Sequence, residues 1–182
     1  MWKRITPKSR AAKGPAANIG NDLELRAAVI TVSDGVAQGT RRDESGDLAE
    51  RQLTESDYSV VDRVVVADEH PAIVAALRAQ INAGTRLIVT TGGTGFGPRD
   101  VTPEATTEVI ERPAPGLSEL MRAAGLKHTP MAALSRGVAG AAGPCLILNL
   151  PGSPKGVKES LDAIIEVLPH ALRLLAGDTE HG

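Results

Sequence analysis

The chain has 182 residues, 42% of them apolar and 23% charged, with a formal net charge of −2. That suits one domain with a real core, and a pI near 6.1 argues against a dedicated nucleic-acid binder, which usually carries a basic stripe. Aromatics are 2%, so Leu, Ile, Val and Ala must fill the core. The single cysteine, Cys145, excludes an intrachain disulfide and a Cys-based metal site.

Residues 1–22 carry Lys3, Arg4, Lys8, Arg10 and Lys13 among Ala and Gly, without the apolar stretch of a signal peptide. They read as a basic, flexible tail ahead of a single α/β domain at 23–182. No apolar run approaches the roughly 18–20 residues of a membrane span, so a cytoplasmic protein without membrane partners is expected.

"LRAAVITVSD" (25–34) is a continuous apolar run that fits a strand buried on both faces. A loop rich in Gly and charge follows, in which Arg41, Arg42, Asp43 and Glu44 read as a solvated run, although Asp43 leaves the same rim as the candidate site. A helix is expected over 47–56, with Leu48 and Leu53 inward, then a β-branched strand over 58–69. "HPAIVAALRAQINAG" (70–84) predicts a helix: Pro71 suits its first turn, Ile73, Leu77 and Ile81 share a face, and Gly84 stops it. "RLIVTT" (86–91) is the third strand.

A glycine-rich loop comes next. Thr102 and Pro103 then predict a capped helix to about residue 110. A further helix spans 116–124, with Gly125 as its stop. "CLILNL" (145–150) is the fourth clear strand, and the last helix runs over 155–175, kinked at Pro169 and ended by Gly177. Strand and helix in alternation predict a three-layer α/β/α domain with a mostly parallel sheet. Ligands bind such sheets at the carboxyl ends of the strands. The turns at 33–35, 91–97 and 149–153 should therefore gather on one rim.

In "VTTGGTGFGPRD" (89–100), Gly92, Gly93 and Gly95 let backbone N–H groups approach an anion, and Thr90, Thr91 and Thr94 add hydroxyls. The loop leads to a helix N-terminus, which favours negative charge. A phosphate ligand is the functional reading, and a plain surface turn the structural one. No Lys follows, so this is not a P-loop, and Pro98 interrupts the dinucleotide fingerprint.

Asp100 then poses a charge problem. Two like charges at about 4 Å repel by about 4 kcal/mol at an effective dielectric near 20. A helix terminus returns only about 0.3–2 kcal/mol. A cation between acid and phosphate restores the balance. Asp68, at the end of the second strand, should share the rim, so two carboxylates and a phosphate loop suggest Mg²⁺ on a polyphosphate. The structural alternatives are an Arg99 pair or a cap for Asp100, and a cap of the helix at Pro71 for Asp68. His70, His128, His170 and His181 lack metal-ligand spacing. Cys145 reads as a small core residue.

"TTGGTGFGPRDVTPEAT" (90–106), "LSR" (134–136) and "NLPGSP" (149–154), in this order, resemble the MogA/MoaB family of molybdenum-cofactor biosynthesis, to which the gephyrin G domain also belongs. The likeness runs over about 25–177. It implies a three-layer α/β fold, a homotrimer, and binding of molybdopterin. In the catalytic branch it implies transfer of AMP from Mg²⁺-ATP to the pterin phosphate, with pyrophosphate leaving. The product would pass to a molybdate-insertion partner. The family's two important acids match Asp68 and Asp100, which would hold the metal. Thr91, Gly92, Gly93, Thr94 and Gly95 would cradle phosphate. Ser33, Asp34, Ser135, Pro151, Gly152 and Ser153 would complete the nucleotide and pterin pocket. The alternative is a relative that binds the pterin without adenylylating it; an interaction scaffold is a third class, with only the tail to suggest it. Two positions depart: Ala67 stands where members often have Pro, and Gly125 where many have Ser, which removes a hydroxyl available for a ligand contact.

Overall fold

The computed structural model describes residues 3–5 and 25–178. Its centre is a seven-stranded sheet in the order β1-β3-β2-β4-β7-β6-β5. The strands are β1 (Lys3–Ile5), β2 (Arg26–Val32), β3 (Ser59–Val66), β4 (Leu87–Thr91), β5 (Arg112–Pro113), β6 (Ala139–Ala142) and β7 (Cys145–Leu150). The long inner strands β3, β2, β4 and β7 run parallel. Antiparallel β1 closes one edge, and β6 with β5 closes the other. β1 takes three residues of the segment read as a tail and pairs Lys3 with Val65. The rest of that segment, and His181, lie outside the described residues.

The helices are α1 (Asp34–Ala37), α2 (Glu44–Glu55), α3 (His70–Asn82), α4 (Thr102–Val109), α5 (Pro115–Leu126), α6 (Pro154–Ile164) and α7 (Leu168–Leu175). Alternation along the inner strands divides the core in two. Ala27, Val29, Leu87, Val89, Leu146 and Leu148 face α2, α5, α6 and α7, as Leu53, Met121, Leu161 and Leu172 in the same cluster show. Ile30, Val32, Ile88 and Ile147 face α3 and α4, through Ile73, Leu77 and Ala105. Each fully buried Leu or Ile contributes roughly 1.5–3 kcal/mol. The expected three-layer α/β architecture is therefore the one observed.

Several boundaries differ from expectation for identifiable reasons. α2 starts at Glu44 because Asp43 caps it, accepting the Gly46 N–H at 2.9 Å. Thr102 does not cap α4: Val101 precedes the helix without a side-chain cap, and the Thr102 hydroxyl donates to the Gly92 carbonyl at 2.9 Å. Gly125 lies inside α5 rather than after it. A Cβ there would sit 2.8 Å from Ala132 Cβ on the 3₁₀ turn Pro130–Leu134, so its bareness admits that turn. The single last helix is two, α6 and α7. Pro169 has no N–H and its ring clashes with the carbonyl four residues back, so it takes the first turn of a new helix. The unforeseen strands β5 and β6 are short and built from Ala, Gly, Arg and Pro, which carry little strand signal.

Candidate active site

The carboxyl ends of β2, β3, β4 and β7 share one rim because these strands are parallel. The backbone ties them there: the Ser33 N–H donates to the Val66 carbonyl at 3.0 Å, and the Gly92 N–H to the Leu150 carbonyl at 3.3 Å. Strand order reverses about β2, with β3 on one side and β4 on the other, which opens a crevice at this rim.

Two cavities occupy it. One, of about 270 Å³, is lined by Ser33, Asp68, Thr91, Gly92, Gly93, Asp100 and Gly152, with Arg41, Arg42 and Asp43. The other, of about 300 Å³, is lined by Thr94, Gly95, Ser135, Pro151 and Ser153, with Met121, Met131 and Leu134 among its apolar walls. The ridge between them is a close approach of two loops. A Cβ on Gly152 would lie 3.3 Å from Gly92 Cα. The predicted site residues thus divide between two chambers. Asp34 is the one that lines neither.

Asp34 is structural in its contacts. Asp68 Oδ2 accepts the Asp34 N–H at 2.7 Å, and Asp34 Oδ1 accepts the Asp68 N–H at 3.0 Å, clasping the loops after β2 and β3. Arg99 donates to both oxygens of Asp34, at 2.8 and 2.9 Å through Nη2. Arg99 is therefore not the partner of Asp100. Asp100 Oδ2 instead accepts the Gly97 N–H at 2.7 Å, and neither Asp100 nor Asp68 caps a helix, since α3 begins after Glu69 without a side-chain cap. Burial raises the Asp68 pKa above its ordinary value; the Asp34 N–H and Arg99 pull it down, while the charges of Asp34 and Asp100 push it up.

The bare backbone of the glycine loop has a structural explanation at most of its positions. Gly92 (φ +95°) and Gly93 (φ +63°) adopt left-handed backbone. A Cβ on Gly92 would meet the Val32 carbonyl at 2.4 Å, and one on Gly93 would meet Thr102 Oγ1 at 2.3 Å. On Gly95 and Gly97 it would press on Asp100 Oδ2, at 2.9 and 2.8 Å. Much of the bare backbone thus makes room for the protein's own groups. Yet among the described residues, the N–H groups of Gly93, Thr94 and Gly95 have no protein acceptor.

The hydroxyls are partly engaged. Ser33 caps α1 and Ser153 caps α6, accepting the Val36 and Gly156 N–H at 3.3 and 3.2 Å. Ser135 Oγ accepts the Gly137 N–H at 3.4 Å. Thr91 is buried, with its hydroxyl 3.5 Å from Thr31 Oγ1.

Arg136 stands within "LSR", a motif that gave it no role. It donates to the carbonyls of Gly95 and Asp100, each at 2.6 Å, pairs with Glu104, and lies 5.4 Å from the Phe96 ring centroid. It fixes the loop to α4 and holds the Glu104 carboxyl below its ordinary range, mainly by hydrogen bonding. Asn149 is equally silent in sequence. It bridges Thr90 and Thr106 at 3.1 and 2.9 Å under the loop. Asp43 is not solvated: its side chain is 7% exposed and pairs with Arg63 at 2.7 Å. Ser118, in the larger cavity, is buried, and its hydroxyl has no hydrogen-bond partner among the described residues.

These features define an α/β domain with a glycine loop, bearing free N–H groups among the described residues, between a carboxylate-bearing chamber and an apolar one. The chain belongs to the family described as "Probable molybdopterin binding domain", whose model matches residues 28–170. It is 39% identical to the molybdopterin adenylyltransferase of Helicobacter pylori (strain J99) over 82% of this chain and 87% of that protein. It is 46% identical to the molybdenum cofactor synthesis protein cinnamon of Drosophila melanogaster over 82% of this chain, and spans only 25% of that longer protein. Among solved structures, the molybdopterin biosynthesis enzyme MoaB of Thermus thermophilus superposes with a TM-score of 0.80 at 52% identity, covering 84% of this chain and 97% of the other. The resemblance carried by the glycine loop is borne out.

Proposed function

We propose that this protein acts in molybdenum cofactor biosynthesis by adenylylating molybdopterin. A terminal phosphate oxygen of the pterin attacks the α-phosphorus of ATP. The bond to the β-phosphate breaks, and pyrophosphate leaves. The observation that carries this reading is the pair of chambers meeting at the glycine ridge. One offers carboxylates for a metal-bound polyphosphate and the other apolar walls for a heterocycle, with unpaired N–H groups at Gly93, Thr94 and Gly95 between them.

The donor set fits Mg²⁺ brought in with its nucleotide. No cluster of three or more His, Cys, Asp or Glu able to hold a metal occurs among the described residues. Asp68 and Asp100 offer two carboxylates, which is what Mg²⁺ commonly takes from protein when phosphate oxygens and water supply the rest. When bound, the ion neutralises charge on the phosphates. The protein's own part is orientation: the Asp34–Asp68 clasp and the Gly97–Asp100 bond fix both acids, and the loop N–H groups hold phosphate in line.

The same reading includes a cytoplasmic homotrimer that hands its product to a molybdate-insertion partner. Leu120, Leu126, Met131 and Leu134 supply exposed apolar surface on and after α5. Among the described residues no helix is long and apolar enough to cross a membrane.

The test incubates the protein with molybdopterin and Mg²⁺-ATP and follows adenylylated pterin by mass spectrometry. Product is expected from the wild type, and a loss of at least about 100-fold from Asp68→Ala and from Asp100→Ala. Tight pterin binding with no product would replace this reading with that of a binding protein.

A further inference from the structure

The acid-lined chamber contains a cation with no assigned task. Arg41 lines it together with Asp68 and Asp100. Three bonds fold its loop back onto the first turn of α1. Gly35 C=O accepts the Thr40 N–H at 2.9 Å, the Arg41 N–H at 3.1 Å and the Thr40 hydroxyl at 3.0 Å. Gly39, at φ +77°, makes the reversal. The Arg41 stem then lies across Gly35: a Cβ added to Gly35 would stand 2.8 Å from Arg41 Cδ and 3.2 Å from Cγ. The base of the side chain is thus anchored. Its head is not, for the Arg41 side chain makes no ion pair or hydrogen bond among the described residues.

The charges in the chamber say what the head is for. Asp43 is matched by Arg63. A divalent ion held by Asp68 and Asp100 would be largely matched by those two carboxylates. Arg42 and Glu44 on the same lining cancel in formal charge, and loop N–H groups supply only partial charges, so Arg41 is the cation left for the outer phosphates of a triphosphate. A guanidinium stays charged at every working pH and offers paired N–H donors to phosphate oxygens. Its packed stem leaves less freedom to lose on binding.

We infer that Arg41, held across Gly35, clamps the terminal phosphates of the nucleotide and so selects a triphosphate over a monophosphate. This rests on the adenylyltransferase reading of the same chamber. Gly35 is a positioning residue for that clamp.

Calorimetric titration with Mg²⁺ and α,β-methylene-ATP, and separately with AMP, tests it without requiring turnover. Arg41→Ala is expected to weaken the triphosphate analogue about tenfold and leave AMP unchanged; Arg41→Lys should recover part of the loss. Gly35→Ala should weaken the analogue as well, since the new methyl displaces the flexible stem and not backbone. Adding it to Arg41→Ala should cost nothing more, because the two act through one group. Analogue binding that ignores Arg41, or AMP binding that falls equally, would overturn the clamp alone. Wild-type protein that binds neither nucleotide would overturn both the clamp and the function beneath it.

Discussion

Asp68 sits where burial resists its charge. Its pKa lies above the ordinary 3.8, so the folded chain holds that proton longer than the unfolded one. Below the ordinary value both states are protonated and nothing is lost. As pH rises through the raised value, the folded state carries an ill-placed charge and stability falls. In the unliganded protein Asp68→Asn should therefore raise the melting temperature at neutral pH, and the gain should shrink to nothing in acid. Asn can still accept the Asp34 N–H. Thermal melts from about pH 3 to about pH 8 check this, and a lowered melting temperature at neutral pH would contradict it. A cost of this sign is consistent with the metal-holding role proposed for Asp68.

At this scale the sequence was informative about residue type and weaker about partners. The glycines and both acids were legible because each type does something few others can. Asp34 was not separable from Asp68, since nothing in "VSDG" foretells that Arg99 reaches it from 65 positions away. Arg136 and Asn149 were likewise opaque: their roles exist only once β6, β7 and the glycine loop converge.

Between elements, Arg63 is the junction of α2 and β3. Its side chain is 5% exposed and pairs with Asp43, Asp47 and Glu50 at 2.7, 2.7 and 2.9 Å. Thr31 adds a hydroxyl to Asp43 at 2.8 Å. Replacing Arg63 by Leu would leave Asp43 buried without its cation, and the loss should be about 3–5 kcal/mol. Chemical denaturation measures it directly. A loss under about 1 kcal/mol would mean the cluster is no stronger than a surface pair. The element pattern itself was readable for strands with long apolar runs and helices with clear periods. It failed at α2, where a capping acid looked like part of a charge run, and at β5 and β6, where pairing partners and not propensity make the strand.

Across the whole molecule, the two chambers share one thin partition. Gly92 touches β2 behind it and approaches Gly152 beside it. Gly92→Ala combines a disfavoured positive φ with a 2.4 Å approach to the Val32 carbonyl. It should weaken pterin and nucleotide together, each by about tenfold or more. A substitution confined to one chamber, such as Arg41→Ala, should affect one ligand. Parallel titrations of both ligands distinguish the patterns.

The ends of the sheet carry a different consequence. One margin is sealed by a three-residue strand and the other by a two-residue strand ending in Pro113. Among the described residues neither edge strand itself offers a long row of free amide and carbonyl groups, the usual template for unwanted strand addition. Short edge strands of this kind disfavour joining of copies through a continuous sheet. Contacts between copies made with helices and loops can carry specific shapes, whereas a bare strand edge accepts almost any comer.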